Sequence, residues 1–286
     1  MSPADDGPPE GYPPQRHVLR DLRFDLEAVD ERSSRAHLEV VPELCVAGRL
    51  GAGPLMTVVD VIAGSLVGRV VAPDWMATAQ LSLHLAEPPA EGRVVIDATV
   101  VRDGRTTVVM EGRLRTDPTD GEARSFGDAM LTFVRLPRRD TNFDMSAIDV
   151  RYGERSTFAL ADSGLREPYR DAIGVRLLDP AVGAVEVDVS GYVRNSFGAV
   201  NGGVVASIAV EAALALVGTT SGAPVAATDA VVHYLTQGKV GPVVTAAELV
   251  RVDERGALVR VEVGDAGSTD DGRPRRMVVA HVHCAA

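Results

Sequence analysis

Residues 45–64 read CVAGRLGAGPLMTVVDVIAG, and residues 195–214 read NSFGAVNGGVVASIAVEAAL. Aligned at an offset of 150, Gly48 falls on Gly198 and Gly53 on Gly203. In each stretch a small-residue turn leads into an apolar run. Each run predicts one long helix buried all round, because neither leaves a polar stripe for solvent. Downstream the offset becomes 149, and ATAQLSLHLAEPPAEGRVVIDATVVRDGR (77–105) parallels AATDAVVHYLTQGKVGPVVTAAELVRVDERG from Ala226. His84 then sits on His233 and Arg102 on Arg251, with Thr78 on Thr228 only after a one-residue slip. A fixed period of this kind makes the chain a tandem duplication.

Outward from the helices, alternating β-branched segments are separated by turn signals such as Asp103-Gly104 and Arg255-Gly256. The last strand of each half is predicted in DAMLTFVRLP (128–137) and RRMVVAHVHCA (275–285). One strand also precedes each helix, in RAHLEVVPEL and GAVEVDVSGYV. Each half therefore reads as α+β, a single long helix with an antiparallel sheet to wrap it. The expected organisation is a flexible proline-rich leader over 1–17, a first domain over 18–138, a polar linker over 139–157 and a second domain over 158–286.

Composition bounds the function. With 45% hydrophobic and 24% charged residues the chain is globular rather than disordered. A net charge of −11, with Lys239 as the only lysine, argues against a nucleic-acid surface, which needs clustered cations. Two cysteines, Cys45 and Cys284, are too few for a disulfide framework and predict a reducing, cytoplasmic setting. The acidic leader lacks the basic and apolar regions of a signal peptide. No apolar stretch is read as reaching the roughly 18–20 residues of a membrane helix, so no membrane association is expected.

The two entrances resemble those of the hot-dog thioesterases of the phenylacetate-degradation type, which hydrolyse acyl-CoA. That family carries Asn-x-x-Gly-x-x-His-Gly-Gly, with an aspartate nine residues after the histidine. The second half matches as Asn195, Gly198, Gly202 and Gly203, with Asn201 in place of the histidine and Val210 in place of the aspartate, Glu211 lying next to it. The first half has Cys45, Gly48, Gly51 and Gly53, and Asp60 falls at the aspartate position. The resemblance implies a double hot-dog in which the halves pair as an internal pseudo-dimer, each site being built across the interface. One working site is then expected. Asp60 faces Asn195, Asn201 and Gly202, Gly198 and Gly203 shape the substrate entrance, and Thr78 orients the water. The opposite site, with Cys45, Gly51, Val210 and Glu211, is expected to be dead.

In chemical terms Asp60 would act as base or nucleophile and the Gly202 N–H would receive the thioester oxygen at a positive helix start. An acyl-CoA is thus the expected substrate, with no separate cofactor, no metal, and a homodimer of the tandem chain as the expected assembly. A hydratase on the same fold would pair aspartate with histidine in one motif, which is absent. A non-catalytic acyl-CoA or acyl-carrier-binding protein stays open, because Asn201 cannot transfer a proton. Asn195 and Asn201 are equally readable as turn residues. His84 and His233 read as architectural, His281 and His283 as a strand-edge pattern without a third ligand, and Trp75 as a loop anchor.

Overall fold

The computed structural model describes residues 11–118, 121–138, 150–219, 221 and 224–285. Alternation of side chains builds its strands: along Thr107–Thr116, every second residue from Val108 to Leu114 is buried. The first half comprises α1 (Val18–Asp21), β1 (Asp25–Ala28), β2 (Ser33–Val40), the short pair β3 (Cys45–Val46) and β4 (Arg49–Leu50), α2 (Ala52–Val71), β5 (Trp75–Leu85), β6 (Gly92–Asp103), β7 (Thr107–Thr116) and β8 (Ser125–Leu136). The second comprises α3 (Tyr169–Ala172), β10 (Arg176–Asp179), β11 (Ala184–Val187), α4 (Gly202–Gly218), β12 (Ala226–Tyr234), β13 (Val243–Asp253), β14 (Gly256–Asp270) and β15 (Arg273–Ala285). Between them, Arg155–Thr157 forms β9.

Among the described residues, thirteen strands make one antiparallel sheet in the order β10-β11-β13-β14-β15-β12-β5-β8-β7-β6-β2-β1-β9. Read outward from its centre, each half contributes the same sequence of six strands. This is the α+β double hot-dog that the resemblance implies, its duplication the one read from the repeat. The seam is the β5–β12 pairing, in which Ser82 faces Val231, 149 residues away. Because equivalent residues pair there, a pseudo-twofold axis passes through that point. The bulges repeat too: Val101 and Val250 are each the extra residue of their strand, as are Ala79 and Thr228. Structurally, therefore, Thr78 corresponds to Ala227, and Thr228 is the bulged residue beside it.

The two helices cross on the same axis. A Cβ on Gly203 would stand 2.4 Å from the Thr57 Cα, so only glycine permits the approach. At the crossing Thr57 and Ser207, again 150 apart, have their hydroxyls 3.3 Å from each other, and Tyr169 Oη lies 2.6 Å from Thr57 Oγ1. The Ser207 hydroxyl also reaches the carbonyls of Gly53 (2.7 Å) and Gly203 (2.8 Å).

Three sequence expectations need adjustment. By length and composition α2 is apolar enough to cross a membrane, contrary to the reading that no stretch reaches that length. It is instead mostly buried, packed on the sheet and on α4. Part of the stretch read as a linker is strand β9, hydrogen-bonded to β1; residues 139–149 lie outside the described residues. The end of the leader is tied down: His17 is fully buried, caps α1 and lies 2.7 Å from the Arg194 carbonyl oxygen, which also accepts from Tyr12. Residues 1–10 are outside the described residues.

Candidate active site

Asp60 sits in the third turn of α2, 8% exposed among apolar neighbours. A carboxylate so placed is costly to bury unless its oxygens are bonded. One oxygen accepts the Gly203 N–H of the opposite half at 3.0 Å, and the other accepts the Thr78 hydroxyl at 3.1 Å. Burial pushes the carboxyl up to about 6, against the downward pull of these two bonds. It is therefore mostly ionised at neutral pH yet still basic enough to take a proton.

The start of α4 closes over this group. A Cβ on Gly202 would lie 2.9 Å from Asp60 Oδ2, so glycine is the residue that fits between helix and carboxylate. The Gly202 N–H donates to no described group, while the Gly202 carbonyl accepts the hydroxyl of Tyr234 at 2.8 Å. Burial, with the Asp60 charge adding to it, holds the Tyr234 phenol well above its usual range, so it stays a neutral donor.

Asp60, Thr78, Gly202 and Gly203 are thus brought together. The two asparagines are placed differently. Asn201 is the N-cap of α4, its oxygen accepting the Val204 N–H at 3.2 Å. Asn195 folds the preceding turn, accepting the N–H groups of Phe197 (3.0 Å) and Ala199 (3.1 Å) around Gly198, whose φ is +73°. Neither hydrogen-bonds Asp60 among the described residues. Truncating Asn201 to alanine is expected to lower stability by about 1 kcal/mol through loss of the cap, read as a drop in Tm.

Sequence reasoning missed Tyr234, and also the ring of Phe197, which packs at a tilt on Trp75 of the other half, the ring centroids 4.3 Å apart. Trp75 thereby anchors the entrance loop across the domain boundary. His84 pairs with Asp229 at 2.8 Å across the seam, His283 lies 2.8 Å from the Thr228 hydroxyl, and His233 and His281 face solvent. Among the described residues no group of three or more His, Cys, Asp or Glu could hold a metal ion.

This architecture defines a double hot-dog protein with a buried acid facing the opposite helix start. Residues 49–123 match the family described as the Thioesterase superfamily, and residues 193–285 match the family described as the Acyl-CoA thioesterase N-terminal domain. With such a domain in each half, the chain is a double hot-dog thioesterase, a thioester hydrolase. No curated protein matches it. Among solved structures it is similar to the tesB protein of Mycobacterium avium subspecies paratuberculosis (TM-score 0.60, 11% identity, covering 91% of this chain and 94% of that one). It is also similar to an acyl-ACP thioesterase from Bacteroides thetaiotaomicron (0.54, 14%, 90% and 100%). A third is the 12:0-ACP thioesterase from Umbellularia californica (0.57, 9%, 88% and 93%). At these identities the likeness concerns the fold.

Proposed function

We propose that the chain hydrolyses acyl-CoA thioesters at a composite site between its halves, with Asp60 as general base. The observation that carries this reading is the Asp60 carboxylate of one half bonded to the Gly203 N–H of the other, beside the Gly202 N–H, which donates to no described group. A water loses its proton to Asp60 as its oxygen attacks the thioester carbon. The oxyanion is received by the Gly202 N–H at the positive end of α4. The C–S bond then breaks, and the proton returns from Asp60 to the thiolate of CoA. Thr78 holds the carboxylate in position, while the amide nitrogens of Asn195 and Asn201 remain to donate to substrate or water. Water is the only co-reactant, so the reaction calls for no cofactor or metal. A cytoplasmic location and a homodimer of the tandem chain accord with this reading.

The second reading is a protein that binds acyl-CoA or an acyl carrier without turnover. It is favoured by Asn201, which caps a helix and cannot shuttle a proton. Release of free CoA from acyl-CoAs, acetyl to palmitoyl, separates the two: hydrolysis supports the enzyme, and tight binding without release supports the binding protein. Because Asp60 must be ionised to act, kcat/KM is expected to rise with pH through about 6 and then level off. A profile flat from pH 5 to 8 would remove Asp60 from the role of base.

A further inference from the structure

The half-one entrance has a cavity of its own. A space of about 240 Å³ lies against Ala52 and Gly53 at the start of α2, with Glu211 and Leu214 of α4 and Ala227 of β12 on its other walls. Glu211 is 5% exposed. Among the described residues its ion-pair partner is Arg170, at 3.5 Å, and it accepts no hydrogen bond there. Burial pushes this carboxyl up to about 6 despite the opposing Arg170 charge, with Asp171 reinforcing the rise.

The start of α2 is also less occupied than that of α4. Gly51 supplies no side-chain cap, Pro54 has no N–H, and the N–H groups of Ala52 and Gly53 donate to no described group. At α4 the Gly203 N–H is taken by Asp60 and the Val204 N–H by Asn201, so among the described residues only the Gly202 N–H stays open there. Ala227 stands where the first site has Thr78, and the missing hydroxyl leaves room. Val210 takes the place of Asp60, yet the next helix position returns a carboxylate to the space.

We propose that this cavity is a second hydrolytic site, for short-chain acyl thioesters, with Glu211 as its base and the Ala52 and Gly53 N–H groups as its oxyanion donors. The proposal rests on the thioesterase reading above and departs from the expectation that this site is dead. Water attacks the thioester carbon while Glu211 takes its proton. The carbonyl oxygen gathers charge against the two N–H groups, the C–S bond breaks, and the proton passes to the leaving thiolate. Size sets the substrate class. The cavity's volume exceeds the ~150 Å³ of an apolar cavity that takes up benzene. That accommodates a thioester and a few carbons. The remainder of CoA would lie outside, past the exposed Arg49 and Glu87 at the rim.

The test compares Asp60→Asn with Asp60→Asn/Glu211→Gln on acetyl-CoA and butyryl-CoA, following thiol release. The single variant is expected to keep measurable short-chain hydrolysis, and the double variant to lose it by ~10²-fold or more. Equal rates in the two variants, or no short-chain hydrolysis in the single variant, would overturn the proposal. Calorimetric titration of the wild type with a non-hydrolysable thioether analogue of acetyl-CoA gives an independent reading. Two equivalents per chain are expected, falling to one in Leu214→Trp, which fills the cavity while circular dichroism checks the fold. One equivalent in the wild type overturns the second site whatever the rates show. The Asp60 reading fails separately, if hydrolysis of octanoyl-CoA survives Asp60→Asn.

Discussion

Asp60→Asn is expected to lower kcat for octanoyl-CoA by ~10²–10⁴-fold, the range that a positioned general base supplies. The same substitution should make the protein more stable. The unfolded chain releases this proton near 3.8, whereas the folded chain holds it to about 6. A folded pKa raised in this way gives stability that is full below the unfolded value and is lost as pH rises through the folded one. Above pH 6 the wild type therefore carries a penalty of about 3 kcal/mol, two units at 1.36 kcal/mol each. Asparagine escapes that penalty, since its oxygen can still accept from Gly203 and its amide can donate to Thr78. The gain in Tm over wild type should be present at pH 8 and absent at pH 3.5. A variant that loses activity and also melts lower at pH 8 would mean that Asp60 is mainly a structural partner of the helix start.

Gly203→Ala should give the largest loss of stability. Its Cβ would fall 2.4 Å from the Thr57 Cα and 2.7 Å from the Met56 carbonyl oxygen, both backbone atoms of the opposite helix. Neither can swing aside as a side chain can, so the two helices must separate. Overpacking of this kind costs about 1–3 kcal/mol, and more where backbone resists. About 3 kcal/mol is the expected figure, measured by urea unfolding. The shift would also draw the Gly203 N–H away from Asp60, so activity should fall together with stability. Gly198→Ala is a useful contrast, because no atom lies within 4 Å of its Cβ position and the strain there comes only from a φ of +73°.

Much of this was legible in the sequence because the chain records its fold twice. The offset between the glycine entrances located both helices, and the resemblance to the hot-dog thioesterases implied that Asp60 of one half faces the Gly202 N–H of the other. What could not be read follows from how polar side chains are used. An asparagine before a helix has the same letter whether it caps the helix, as Asn201 does, or faces a substrate. Thr78 and Thr228 look equivalent within one residue, yet a bulge turns that slip into two roles: one bonds the Asp60 carboxylate, the other His283 and Asp229. The space beside Glu211 arises from tertiary packing, with α3 bringing Arg170 to it from 41 residues upstream, and no local pattern encodes that. Tyr234 carried no signal beyond its place in an ordinary strand.

The seam between β5 and β12 has a consequence for dilution. Were the halves separate chains, that pairing would be an association, and the fraction of assembled sites would fall with protein concentration. Carried on one polypeptide, the same strands meet at an effective concentration set by the connecting segment, so assembly becomes a first-order event. Melting should therefore be independent of protein concentration in any state where the tandem chain is monomeric. The arrangement also frees the two helix starts from identity. A substitution on one side of the axis is not copied onto the other, and a single chain can hold an aspartate at one entrance and a glutamate at its counterpart.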